Sequence, residues 1–276
     1  MPDQPMATAD VVIVGSGYTG LNAAIETARG GRSTLVLDAE DPGYGCSTRN
    51  GGQISTSVKP SLEKLTARFG ADCARAIRGE GQNALDWIED FVTRESIQCD
   101  FRRAGRYHAA HTPQHYETLV REAEILRKGE GVEVFAVPRA DQRSELGSDV
   151  YYGGVVFARH SALSPALYHR GLLARAIDAG AHVTGNCAVN AIDQDANGFL
   201  VATSKGTVRA RDVIVATNGY TRKVTPWLQR RVIPIGSYII ATEELPAALV
   251  DRLFPTDRIA SDTCKVIYYY RTSPDR

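Results

Sequence analysis

The sequence has no surplus of charge: across its 276 residues, 32 Lys and Arg balance 32 Asp and Glu. A chain without a field of one sign lacks the electrostatic footprint of a nucleic-acid binder or of a protein drawn to an anionic membrane. A cysteine framework is missing too. The five cysteines, Cys46, Cys73, Cys99, Cys187 and Cys264, are scattered, odd in number and include no Cys-x-x-Cys pair. Free thiols in a reducing cytoplasm are therefore expected. Residues 1–8 hold no apolar h-region, and no later run approaches the roughly 20 apolar residues of a membrane span. There is no internal repeat, no low-complexity segment, and no Ser-His-Asp or Cys-His arrangement. With 43% hydrophobic and 23% charged residues, a cytoplasmic protein with a substantial core is the expectation.

What is present begins with a βαβ opening. Val11-Val12-Ile13-Val14 is a β-branched run of the kind buried on both faces of a parallel sheet. Leu21, Ala24, Ile25 and Ala28 then recur at helical spacing until Gly30-Gly31. Thr34-Leu35-Val36-Leu37-Asp38 reads as the second parallel strand. Between strand and helix, Gly15-Ser16-Gly17-Tyr18-Thr19-Gly20 spells a dinucleotide fingerprint. Gly15 allows the tight turn, Gly17 lets the backbone approach a pyrophosphate, and Gly20 lets helix and strand pack closely. The helix N-terminus offers N–H groups and partial positive charge to phosphates. Asp38, followed by Ala39, stands about 20 residues further on, where a carboxylate accepts ribose hydroxyls and disfavours a 2′-phosphate. A ligand-free glycine turn is the plain alternative, and the matching strand, helix and acid argue against it.

A second loop, Gly43-Tyr44-Gly45-Cys46-Ser47-Thr48-Arg49-Asn50-Gly51-Gly52-Gln53, follows that unit. A nicotinamide enzyme needs only the acid and a return helix at this place. A long glycine-rich loop points instead to a larger cofactor that continues past its pyrophosphate. Successive N–H groups from Ser47 to Gly52 can form an anion-binding concavity, and Arg49 is placed to pair with phosphate or to sit at the cofactor's far edge. The alternative is a surface loop of small residues. Cys46 reads as a small free thiol rather than a covalent attachment point. A third stretch, Ala216-Thr217-Asn218-Gly219, ends a second buried-type strand, Asp212-Val213-Ile214-Val215, where open α/β sheets place their ligands.

Elsewhere, residues 61–69 and 72–94 read as helices, the longer with Ile77, Leu85, Ile88 and Val92 on one stripe. Thr112-Pro113 and Ser164-Pro165 are helix starts, with a capping hydroxyl before proline. Strands are expected within 100–110 and at 132–137, 151–158, 182–184, 188–192, 199–203, 207–208 and 212–216. Two more, at 236–242 and 266–270, are assigned to an antiparallel sheet. The texture predicts two interleaved domains, 10–95 with 151–225 and 96–150 with 226–276. His108, His111 and His115 invite a metal reading. No carboxylate or cysteine shares their spacing, so ordinary histidines are expected. Tyr268 and Tyr270 share a strand face. They and Tyr238 either hold a cationic amine or, the preferred reading, pack against their sheet.

Through residues 11–20, 45–53, 216–221 and 234–243, the chain resembles the FAD-dependent amine and amino-acid oxidoreductases of the D-amino-acid oxidase superfamily. The γ-glutamylputrescine oxidoreductase branch looks most similar, and the Arg-Asn-Gly-Gly-Gln string at 49–53 is the most specific feature. The resemblance implies an α/β Rossmann-like FAD-binding domain and an interleaved α+β substrate domain built on an antiparallel sheet. It implies FAD with its ribose on Asp38, its pyrophosphate on residues 15–20, its flavin near residues 47–53, and Ala188-Val189 beside the adenine. The implied reaction oxidises the C–N bond of an amine or amino acid. Hydride passes to flavin N5, water hydrolyses the imine, and electrons go on to oxygen or another acceptor. No general base can be named. Asp38 replaces the more usual glutamate, and Cys46 a common alanine. The resemblance further implies strands and a flavin-closing segment with no counterpart here. The chain therefore reads as incomplete at its C-terminal side, ending inside a turn at 271–276. If complete, it is expected to hold FAD weakly and turn over little. The competing expectation is a catalytically silent FAD- or nucleotide-binding module.

Overall fold

The computed structural model describes residues 3–273, and its internal contacts divide the chain into two compact units. The end of the expected C-terminal turn, 274–276, lies outside the described residues.

The first unit comprises the chain up to Asn50 together with Pro165–Ile239. Its six-stranded sheet runs in the order His182–Thr184, Thr34–Leu37, Thr8–Val14, Gly206–Val215, Gly198–Thr203, Val189–Asp195. The first four strands are parallel, and the last two extend the sheet as an antiparallel meander. Val12, Ile13, Leu35, Val36 and Leu37 are fully buried, as a run apolar on both faces requires. On one face lies the helix Tyr18–Arg29, burying Leu21, Ala24 and Ile25 beside the helix Pro165–Asp178. The helix stops at Gly30, and Gly31 takes a φ of +77° that an L side chain resists. On the other face Val12, Val14, Leu35 and Leu37 pack with Cys187, Val201, Val208 and Ala210. The two strands expected at 207–208 and 212–216 are one, Gly206–Val215, because its first half pairs with Gly198–Thr203 and the rest, from Arg209, with Thr8–Val14. Val213, Ile214 and Val215 are half-buried rather than covered on both faces.

The second unit comprises Gly51–Ser164 and the chain from Ile240. Its five-stranded sheet runs Tyr269–Tyr270, Ile259–Asp262, Arg106–Ala109, Gly154–Phe157, Val134–Val137. All neighbours are antiparallel except Ile259–Asp262 with Arg106–Ala109. Gln53–Ile54 and Ser161–Ala162 form a separate short ribbon. The helix Pro113–Glu130 begins as its sequence predicts: proline occupies the first turn and Thr112 Oγ1 accepts from His115 N at 3.2 Å. Leu119 and Ala123 then pack on Ala110, Val134 and Val155. The opposite sheet face buries Tyr107, Ala109, Val137, Tyr151, Val156 and Ala260. Leu62–Phe69 and Ala71–Arg94 complete the helices read from the pattern, the longer burying Ala74, Leu85, Phe91 and Val92.

Three expectations need correction. Residues 236–242 form no strand; Tyr238 is 95% exposed and no ladder partner exists among the described residues. A β-branched run becomes a strand only when a neighbour accepts its backbone bonds. Within 266–270 only Tyr269–Tyr270 pairs, leaving Tyr268 exposed. The crossings between units fall after Asn50, Ser164 and Ile239, whereas the sequence reading put them at 95, 150 and 225. The helix Ala71–Arg94 packs with Leu62–Phe69, and Gly154–Phe157 supplies a strand to the second sheet, which moves both segments into that unit. Among the described residues no helix is long and apolar enough to cross a membrane.

Candidate cofactor site

The first unit gathers the glycine fingerprint, Asp38, residues 43–50 and the 216–220 turn at the carboxyl ends of its parallel strands. Gly15 leaves the first strand at a φ of +103°, and a Cβ there would lie 2.8 Å from Ala216 O. At Gly20 a Cβ would lie 1.9 Å from Gly15 O, so helix and loop touch backbone to backbone. Gly17, at the helix N-cap, brings no capping side chain, and the first turn holds no acidic residue. Instead the Ser47 hydroxyl accepts from Tyr18 N at 3.2 Å, and a Cβ on Gly17 would meet Ser47 Oγ at 2.9 Å. Thr19 points to solvent in that first turn. The second loop thus closes over the start of the helix.

Ser16 is fully buried and held from two sides. Asp38 Oδ2 accepts from Ser16 N at 2.8 Å and from its hydroxyl. The Ser16 carbonyl accepts from His169 Nε2–H at 2.7 Å, since a carbonyl can only accept. Asp38 Oδ1 accepts from Glu40 N. Asp38 therefore fixes the loop directly; one methylene shorter than glutamate, it reaches Ser16. The backbone beyond it, through the exposed Ala39, is tied to the adjoining segment by Cys187 N donating to Asp38 O and Asn186 N to Glu40 O. Ala188 follows directly, and Val189 packs on the Leu35 and Leu37 cluster.

Within residues 43–50, Thr48 Oγ1 donates to Gly43 O at 2.6 Å, and Asn50 Nδ2 donates to Cys46 O at 3.0 Å. The Arg49 guanidinium lies over the Tyr44 ring, 4.4 Å from its centroid, rather than standing free as an anion ligand. Gly43, at a φ of +94°, leaves room for the His169 ring, and Gly45 faces the Tyr220 ring. Thr217 Oγ1 bonds Thr221 Oγ1 at 2.7 Å, Asn218 Nδ2 approaches Cys46 Sγ at 3.9 Å, and a Cβ on Gly219 would enter open space. Gly51, Gly52 and Gln53 belong to the second unit. There Gly52 O accepts from Leu163 N, and Gln53 pairs in the short ribbon and donates to Ala260 O at 3.3 Å.

Residues 10–276 match the family of FAD dependent oxidoreductases designated DAO. The chain belongs to this family. It is 30% identical over 274 residues to a probable oxidoreductase, OrdL, of Haemophilus influenzae. It is 32% identical over 269 residues to the gamma-glutamylputrescine oxidoreductase of Escherichia coli. Each alignment covers 97% of this chain and 63% of the relative, so the chain spans under two thirds of their length. The fold is that of a solved glycine oxidase from Geobacillus kaustophilus, with a TM-score of 0.65 at 21% identity over 81% of this chain and 59% of that one. Family members are FAD-dependent, and the first unit suits the dinucleotide half of FAD. Its helix N-terminus is free of acid, and Gly15 and Gly20 sit where a Cβ would collide with backbone.

The sequence reading missed His169, and it named Ser47 for its backbone N–H rather than for the hydroxyl that accepts from Tyr18 N. Their partners are backbone atoms of the fingerprint loop, 153 and 29 residues away, and no local spacing signals them. In the second unit, His108 Nδ1 meets Ser261 Oγ at 2.8 Å and His115 Nδ1 meets Thr263 Oγ1 at 2.7 Å. No group of three His, Cys, Asp or Glu side chains suited to a metal occurs among the described residues. Tyr270 packs edge-on against Phe254 and donates to Tyr151 OH, and Tyr151 in turn donates to Asp262.

Proposed function

We propose that this chain carries the FAD-holding machinery of an oxidoreductase that oxidises the C–N bond of an amine or amino acid. The observation carrying this is the double anchoring of Ser16 by Asp38 and His169, which freezes the fingerprint loop beneath the 43–50 loop. Gly15, Ser16, Gly17, Tyr18, Thr19 and Gly20 receive the pyrophosphate. Asp38, Ala39, Ala188 and Val189 receive the adenosine. Gly45, Cys46, Ser47, Arg49 and Asn50, with Thr217, Asn218 and Gly219, line the course toward the flavin; Gly51, Gly52 and Gln53 follow in sequence, in the second unit. When bound, FAD supplies a hydride acceptor at N5, so that the amine becomes an imine that water hydrolyses. The chain's own part is to bind and orient, and oxygen or another acceptor completes the cycle. Kinship with the gamma-glutamylputrescine oxidoreductase of Escherichia coli supports an amine substrate. Five unpaired cysteines support a cytoplasmic setting.

Reconstitution with FAD followed by gel filtration should leave flavin absorbance on the protein. Anaerobic addition of amines and amino acids should then bleach it for at least one compound. Bound flavin that no amine bleaches would instead identify a silent binding module. A protein that emerges colourless would overturn the cofactor assignment as well.

A further inference from the structure

The two oxygens of an ionised carboxylate offer about four acceptor positions between them. At Asp38 the chain itself fills most of these. Ser16 N donates to Oδ2 at 2.8 Å, and the Ser16 hydroxyl donates to the same oxygen. Glu40 N donates to Oδ1 at 3.1 Å, the turn that a short acidic side chain closes with its own backbone two residues on. The backbone of Asp38 is fixed as well. Its N–H donates to Thr184 O at 3.0 Å, and its carbonyl accepts from Cys187 N at 2.7 Å. Ser16 is fully buried, so swinging the carboxylate away would leave a buried N–H and a buried hydroxyl without an acceptor. That penalty exceeds what a ribose hydroxyl returns, because the hydroxyl merely exchanges a bond to water for one to the protein.

A carboxylate with both oxygens free can accept the two neighbouring hydroxyls of a ribose together. Here Oδ2 is filled from Ser16, and Oδ1 keeps one position. We propose that Asp38 is first the anchor of Ser16 and offers the adenosine ribose a single acceptor position, so that the site depends on one ribose hydroxyl and is indifferent to the other. Side-chain length is the cause. A glutamate, one methylene longer, carries its carboxylate past Ser16 and is not suited to the turn onto residue 40, which leaves both oxygens for a ligand. The inference rests on the reading of residues 15–20 and 38 as the dinucleotide site, and it adds to that reading which part of the nucleotide the site can discriminate.

Displacement of FAD from the full chain by ADP, 2′-deoxy-ADP and 3′-deoxy-ADP, followed by flavin fluorescence, tests this. In wild type one deoxy analogue should bind about tenfold more weakly than ADP, the size of a lost hydrogen bond to a charged group, and the other within about twofold of it. In Asp38→Glu each analogue should lose about tenfold against ADP. The ratios are taken within one protein, so a general loss of stability in the variant does not move them. The wild-type ratios decide alone if the variant does not fold. A wild type that loses about tenfold with both analogues, or with neither, would overturn the proposal, as would an Asp38→Glu protein that keeps the wild-type pattern. FAD that fails to bind at all defeats the cofactor reading, whereas FAD that binds with the wrong ratios defeats only the role given to Asp38.

Discussion

Ser16 has its backbone N–H, hydroxyl and carbonyl engaged by Asp38 and His169, and the loop that would receive a pyrophosphate has little freedom left. Such anchoring lowers the ordering cost that a ligand must otherwise meet. His169→Ala removes one buried donor and leaves the Ser16 carbonyl unsatisfied, a loss of about 1–3 kcal/mol. The FAD dissociation constant should rise about tenfold, or 1.4 kcal/mol. His169→Gln, whose amide can reach the same carbonyl, should recover most of that affinity. Quenching of flavin fluorescence on titration measures both variants. Wild-type affinity in His169→Ala, with stability alone reduced, would show that the contact is merely structural. At this scale the fingerprint was legible because glycine is demanded wherever a Cβ would strike backbone, as at Gly20. His169 was illegible because its partner is a carbonyl, which leaves no trace in residue type.

Among the elements, helix starts were the easiest to read. Thr112 and Pro113 announce the helix Pro113–Glu130 through bonds confined to one turn, so no distant residue is needed to confirm them. Thr112→Ala should cost about 1 kcal/mol, and Thr112→Ser should cost little. The urea midpoint of the two variants decides this, and an unchanged midpoint in Thr112→Ala would show the cap contributes nothing. Strands were read less well. Residues 11–14 and 236–242 are both rich in strand-favouring residues, yet only the first finds neighbours on both sides. Pairing is a property of the partner as much as of the segment.

For the molecule as a whole, the buried His160 and the half-buried His108 make acid the expected weakness. His108 and His160 are held at about 4 and about 3 by burial and by the Arg106 charge. In the unfolded chain they titrate near 6.5. The unfolded state therefore binds more protons below that value, so their stabilising contribution is complete above pH 6.5 and is lost as pH falls toward 4. The loss is roughly 3 kcal/mol for a shift of His108's size. The thermal midpoint should drop over this window, and His108→Asn should flatten the drop; an unchanged slope in that variant would count against the assignment. The doubly buried strand Val11–Val14, the glycine fingerprint with Asp38, and the proline-started helices were written in local order along the chain, because each depends on neighbours a few residues away. The crossings after Asn50, Ser164 and Ile239, the anchoring of Ser16 by His169, and the placing of Arg106 against the Phe157 ring were decided by tertiary packing. These join residues far apart in sequence, and the packing of helices and strands brings them within reach.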